Sequence, residues 1–167
     1  MNVALLWLAE MVDAKEISMS EASVQTLSPE TVVSAVLTQL NHGQIEDATA
    51  SFAVGFRFKD NGIGLEFTDK VRLTEFFRKT RELYPDSFCY TSQYFASGEH
   101  VITLWTLEVT ITEPFYAGLS RKVPISLPGV SIVRIDNGKI VDWADYYDGL
   151  TSRRTALASH FTEWIEY

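Results

Sequence analysis

IDNGKIVDWADYYDG, residues Ile135 to Gly149, is the last clear strand signal in the chain. Asp136-Asn137-Gly138 makes a hairpin turn that leads into it. At the two-residue period of a strand, Val141, Trp143, Asp145 and Tyr147 share one face, and Ile140, Asp142, Ala144 and Tyr146 share the other. Asp145 therefore travels with the larger apolar side chains. If that face points inward, a carboxylate loses its water, which is costly unless the group is hydrogen-bonded or its pKa rises. If the other face points inward, Asp145 is an ordinary solvated acid.

Working back from this strand, GVSIVRID (129–136) is the segment it pairs with, beginning after the region of Pro124 and Pro128. EHVITLWTLEVTITE (99–113) is a long strand in which Val101, Thr103, Trp105, Leu107, Val109 and Ile111 form an apolar face, and SFCYTSQYFAS (87–97) is another. TDKVRLTEFFRKTRELYPD (68–86) reads as a helix capped by Thr68, with Val71, Phe76, Thr80 and Leu83 toward the core and Pro85 as its stop. GFRFKDNG (55–62) alternates, so Phe56, Phe58 and Asp60 share a face ahead of an Asn61-Gly62 turn. Asp60 is thus a second acid on an apolar face. SPETVVSAVLTQLNHG (28–43) begins a helix with Ser28 as cap and Pro29 in the first turn, and carries Val33, Val36, Leu37 and Leu40 on one stripe. A shorter helix follows, with Ile45, Ala48 and Phe52 to one side.

Helices first and antiparallel strands afterwards predict an α+β domain in which helices cover one face of a curved sheet and leave a pocket. The 167 residues suit one domain, able to bury roughly 70% of the unfolded surface without disulfide or metal. Cys89 is alone, so no disulfide forms within the chain, and no Cys/His cluster has zinc spacing; a cytoplasmic location fits. A net charge of −8 opposes binding to nucleic acid. The apolar N-terminal stretch lacks a basic leader region and is too short to cross a membrane. Leu5, Leu8 and Val12 fit an amphipathic helix, with a polar linker after it; residues 1–27 are read as an extension, 28–149 as the domain, and 150–167 as a C-terminal amphipathic helix.

With FRFKDNG after a helical hairpin and GKIVDWADYYD at the end, residues 28–149 resemble the nuclear transport factor two-like superfamily. Within it the nearest groups are the SnoaL-like polyketide cyclases, the limonene epoxide hydrolases and the ketosteroid isomerases. The resemblance implies a cone-shaped, mixed or antiparallel curved sheet covered by N-terminal helices, a homodimer formed through the sheet, and a small apolar ligand inside the cone. It also implies that Asp145 occupies the catalytic-acid position of the cyclases and epoxide hydrolases, and Asp60 the proton-transferring carboxylate position of the isomerases. The isomerases' two oxyanion donors correspond here to Val36 and Ser131. The epoxide hydrolases' polar set corresponds to Trp105, Leu107, Phe58 and Asp60. Both sets depart from the family pattern.

Asp145 and Asp60 are the candidate catalytic pair, and Phe56, Phe58, Trp105, Leu107, Ser131, Trp143 and Tyr147 the candidate binding residues. Two buried carboxylates that raise each other's pKa can divide acid and base roles in proton transfer beside a carbonyl. A SnoaL-like cofactor-free enzyme acting on a small apolar carbonyl compound is the leading expectation. A non-catalytic ligand-binding or dimerisation domain of the same fold, or an epoxide hydrolase, is the alternative. The plainer readings are Asp60 as a turn-supporting acid, Ser131 bonded to backbone, Cys89 as an inert packed thiol, Asp142 as solvated, and Glu108 at a surface or dimer interface.

Overall fold

The computed structural model describes residues 27–114 and 120–149. The expected N-terminal extension, apart from its last residue, and the expected C-terminal helix lie outside the described residues.

Helix α1 (Pro29–Asn41) starts where Ser28 Oγ accepts the Thr31 N–H, with Pro29 in the first turn, as the sequence predicts. Its buried stripe is Val32, Val33, Val36 and Leu37. The Asn41 side chain then donates to the Cys89 carbonyl and accepts the Cys89 N–H, both at 2.9 Å, so the helix end is sewn to strand β3 (Phe88–Ser97). Helix α2 (Ile45–Ala50) follows, and Phe52 opens strand β1 (Phe52–Asp60) instead of closing the helix. Gly55, at a φ of 73°, takes up the irregularity in β1.

Short strand β2 (Leu65–Phe67), which the sequence reading did not separate from its turn, folds back on β1. Helix α3 (Lys70–Leu83) is capped by Asp69, whose Oδ1 accepts the Arg72 N–H, and not by Thr68. Its inward stripe is Leu73, Phe76, Phe77 and Thr80; Val71 and Leu83, expected inside, are 74% and 71% exposed. Spacings of three and four residues put the observed set on one helical face, whereas Val71 falls off it.

Strands β4 (His100–Pro114), β5 (Ser120–Asp136) and β6 (Lys139–Tyr147) complete a curved, mixed sheet of order β2-β1-β6-β5-β4-β3, six-stranded among the described residues. All neighbours are antiparallel except β1 and β6, which are parallel. The β5–β6 turn has Asn137 and Gly138 at φ 49° and 73°, the left-handed pair a two-residue hairpin requires. β5 runs through both Pro124 and Pro128 instead of starting after them. It pairs with β4 along its whole length, but β6 ends opposite Gly129. The prolines are four residues apart, so their missing N–H groups share the side where no ladder continues.

Helices and inner sheet face enclose one aromatic-rich core around Phe52, Phe56, Phe58, Leu73, Val101, Val133, Ile140 and Trp143. A smaller cluster of Val109, Val123 and Ile125 extends it along β4 and β5.

Candidate active site

Between the sheet and helices α1 and α3 lies a cavity of about 370 Å³. Its floor runs along β4 through Trp105, Leu107, Val109 and Ile111, and along β5 through Ser131, Leu127 and Ile125. Val36, Leu37, Phe76, Phe77 and Tyr84 form the helical side. At one end the wall turns polar, because β1 delivers Asp60 there and β6 delivers Asp145 and Tyr147.

Cross-strand register explains that end. Tyr94, Thr103, Ser131, Asp145 and Asp60 are successive partners across β3, β4, β5, β6 and β1, so one row of the sheet carries Ser131, Asp145 and Asp60 side by side on the cavity wall. Adjacent strands lie about 4.8 Å apart, which makes Asp60 and Asp145 direct neighbours.

The two acids are held differently. Asp60, 7% exposed, accepts the backbone N–H groups of Gly62 and Ile63 on Oδ1 at 3.0 and 3.1 Å, and the Tyr147 hydroxyl on Oδ2 at 3.0 Å. Each oxygen already has a donor. Asp145 accepts Ser131 Oγ at 2.5 Å and Trp143 Nε1 at 2.6 Å, both on Oδ1. No described residue donates a hydrogen bond to Oδ2. Burial pushes the Asp145 carboxyl up to about 7; the two hydrogen bonds oppose this, and the charge of Asp60 adds to it. Burial, and then the neighbouring Asp60, likewise raise the Tyr147 phenol. The Cys89 thiol on the same wall is pushed up to about 12 by burial and by Asp145.

Two glycines make room for the aromatic groups here. A methyl group at Gly129 would lie 2.2 Å from the Trp105 ring, and one at Gly62 would lie 2.2 Å from the Tyr147 ring. The backbone at both positions is therefore a platform on which a ring lies.

Of the candidate residues, Asp145, Asp60, Phe58, Trp105, Leu107, Ser131, Trp143 and Tyr147 all line the cavity. Phe56 does not. It faces the same way but is spent in the core, edge-on to Phe52 with ring centroids 5.1 Å apart, so it is withdrawn as a binding residue. Asp142, expected to be solvated, is paired with Arg57 on the outer sheet face at 2.8 Å. Glu108 is exposed on that face. The sequence reading missed Phe77 and Tyr84 as wall residues; the Leu73-Phe76-Phe77-Thr80 spacing carried the signal for the first. Among the described residues, no group of three or more His, Cys, Asp or Glu side chains is placed to hold a metal. Nor is any helix there long and apolar enough to cross a membrane.

A family model for the SnoaL-like domain matches residues 33–143, from within α1 to Trp143 in β6. The chain belongs to the SnoaL-like domain family. Solved structures with this fold include IdmH from Streptomyces antibioticus, a candidate polyketide cyclase, at 17% identity and a TM-score of 0.68, covering 78% of this chain and 99% of that one. A candidate SnoaL-like polyketide cyclase from Shewanella putrefaciens CN-32 is 11% identical with a TM-score of 0.67, over 82% and 90% of the two chains. An LEH-like epoxide hydrolase from M. tuberculosis is 16% identical with a TM-score of 0.63, over 83% and 96%. At such identities these likenesses speak for the fold. No curated protein matches the SnoaL-like chain.

Proposed function

We propose that this SnoaL-like domain is a cofactor-free acid–base catalyst that moves a proton on a small, largely apolar carbonyl compound, with Asp145 as the group that carries it. The observation behind this reading is the state of one side chain: Asp145 has one oxygen held by two donors and the other without a described donor, on the wall of an apolar cavity, with its proton affinity near neutrality. A carboxyl poised near 7 exchanges protons in both directions at physiological pH. In the forward step, carboxylate Oδ2 takes the proton from the carbon beside the carbonyl, and the electron pair passes to the carbonyl oxygen as an enolate. In the return step, Oδ2–H gives that proton to the atom that holds the electron pair: a carbon in a double-bond shift, or the new alkoxide oxygen in an aldol closure. Asp60, with a donor on each oxygen, contributes its negative charge, which favours proton uptake by Asp145 in the forward step.

The wall also supports a substrate class. From Ser131 to Ile125 the floor spans six residues, roughly 20 Å along an extended strand. The acids sit at one end and apolar side chains cover the rest, which suits an elongated apolar body with its reactive carbonyl at the tip. Among the described residues, the cavity wall includes Asp60 and Asp145 but no Lys, Arg or His, which disfavours anionic substrates.

Exchange of α-hydrogens for deuterium in polyketide-like ketones and Δ5-ketones, followed by NMR, tests this directly. Asp145→Asn should slow exchange by about 10²- to 10⁴-fold while the ketone still binds. Equal exchange in the two proteins would remove Asp145 from the chemistry. Hydrolysis of terpene epoxides, run alongside, separates the hydrolase reading. Binding of all three compound classes without turnover of any would leave a ligand-binding domain.

A homodimer through the outer sheet face is part of the proposal. That face sets Phe95, Ile102 and Ile132 in one cross-strand row, with Tyr146 close by, each between 39% and 49% exposed. The exposed charges Arg57, Glu108 and Arg134 stand around them, an arrangement of apolar centre and polar rim that a second copy of the same face would match. Sedimentation of wild type as a dimer and of Ile132→Asp as a monomer is the expected result. A monomeric wild type would discard it.

A further inference from the structure

An indole N–H donates a hydrogen bond and accepts none. Trp105 Nε1 donates to Ser131 Oγ at 2.8 Å, Ser131 Oγ donates to Asp145 Oδ1 at 2.5 Å, and Trp143 Nε1 donates to the same Oδ1 at 2.6 Å. The incoming Trp105 hydrogen occupies a lone pair of Oγ, so the hydroxyl's own hydrogen is free to point at Asp145. Both tryptophans and Ser131 are at least nine-tenths buried, and Ser131 is 1% exposed. The Trp105–Ser131 bond is buried, and the two bonds to Oδ1 are part-buried. The relay therefore runs one way, from Trp105 through Ser131 into Oδ1.

Its terminus has a chemical consequence. Oδ1 receives two hydrogens, and a hydrogen placed on Oδ1 itself would require the Ser131 hydroxyl to turn away and give up its bond. Oδ2 has no described donor, and Asp145 lines the cavity.

We infer that Trp105 and Ser131 are positioning residues which reserve Oδ2 of Asp145, the oxygen without a donor among the described residues, as the sole seat of its exchangeable proton. The inference rests on the acid–base reading for its purpose and deepens it. Without the relay, a proton on Asp145 is shared between two oxygens and spends part of its time away from the substrate. With the relay, each protonated molecule is armed at the same atom. Among the described residues, the other titratable groups on the cavity wall are Asp60 from β1, Cys89 from β3, Tyr84 after α3, and Tyr147 and Asp148 from the end of β6. None of them is a cation that could substitute for the lost donor.

Carbon-13 labelling of aspartate carboxyls, with the Asp145 signal assigned through Asp145→Asn, allows its titration to be followed by NMR without any substrate. The wild-type midpoint is expected at about 7. Ser131→Ala removes a donor that favours the carboxylate and should raise the midpoint by about one pH unit. Trp105→Phe releases the hydroxyl to turn elsewhere and should move it the same way by less. Ser131→Thr keeps the hydroxyl and should restore it. Midpoints that stay at the wild-type value in both Ser131→Ala and Trp105→Phe, in proteins whose amide spectra remain dispersed, would overturn the relay. The outcome is separable from that of the proposed function. A shifted midpoint combined with α-proton exchange that is unaffected by Asp145→Asn keeps the relay and removes the catalysis. An unmoved midpoint with exchange abolished in Asp145→Asn does the reverse.

Discussion

Asp145→Asn should make this protein more stable in alkaline solution and change it little in acid. In the unfolded chain the carboxyl titrates at its ordinary 3.8; in the fold, burial raises it to about 7. Between those values the folded state keeps a proton that the unfolded state has lost. The stabilisation from this proton is complete below the unfolded value and disappears as pH rises through the folded one. The full excursion is at most about 4 kcal/mol, and between pH 5 and pH 8 the wild type should lose about 2.5 kcal/mol from this group alone. Asparagine has no charge at either pH and retains an oxygen for the Ser131 and Trp143 donors. Guanidinium unfolding at pH 5 and pH 8 therefore reads the effect as a difference of differences, with the variant's pH dependence flatter by about 2.5 kcal/mol. Asp142→Asn, on the outer face beside Arg57, is the control for removing a carboxylate elsewhere. Parallel pH dependences in wild type and Asp145→Asn would refute the reasoning, because they would mean that residue 145 titrates alike in the folded and unfolded states.

Gly129→Ala places a methyl carbon 2.2 Å from Cη2 and 2.3 Å from Cζ2 of Trp105. The indole must move, at a cost of about 1–3 kcal/mol, and Nε1 leaves Ser131; lower stability with altered tryptophan fluorescence is expected, and unchanged values would contradict the ring-on-backbone contact. Cys89, with its thiol pushed up to about 12, should resist alkylation at pH 8 in the native protein and react once unfolded. The thiolate fraction alone slows it about 10³-fold, and equal rates in the two states would count against its burial.

Local signals in the sequence were legible where one short segment determines its own geometry. Asn137-Gly138 needed only its two positive-φ positions, and α1 needed only Ser28 and Pro29 at its start. The apolar face of β4 followed from alternation alone, because that strand is long and has neighbours on both sides for much of its length. Signals that depend on a neighbour were read less well. Pro124 and Pro128 look like strand breakers until one knows that β6 stops at Gly129. Phe56 and Phe58 sit on the same face of β1, and only the packing against Phe52 shows that one belongs to the core and the other to the cavity. Asp60 supports the turn through Gly62 and Ile63, the plainer of its readings, and also stands on the cavity wall.

The direction in which Asp145 points depends on such a neighbour effect. Counted from the hairpin turn, Asp136 faces Lys139 and Ile135 faces Ile140; continued without interruption, that register would set Ser131 opposite Ala144. Ile140, Asp142 and Ala144 would then point inward, and Asp145 would look outward into water. Instead the register shifts after Ile140, Arg134 faces Asp142, and Ser131 faces Asp145. One additional residue in β6, at Val141, allows Ile140 and Trp143 to be buried together and turns the rest of the strand by one face. The relay through Trp105 and Ser131, the adjacency of Asp145 to Asp60, and the raised proton affinity of Asp145 all follow from that shift. None of them is a property of β6 taken alone. A bulge beside an inward-facing carboxyl is therefore better understood as the device that aims it than as a defect in the ladder.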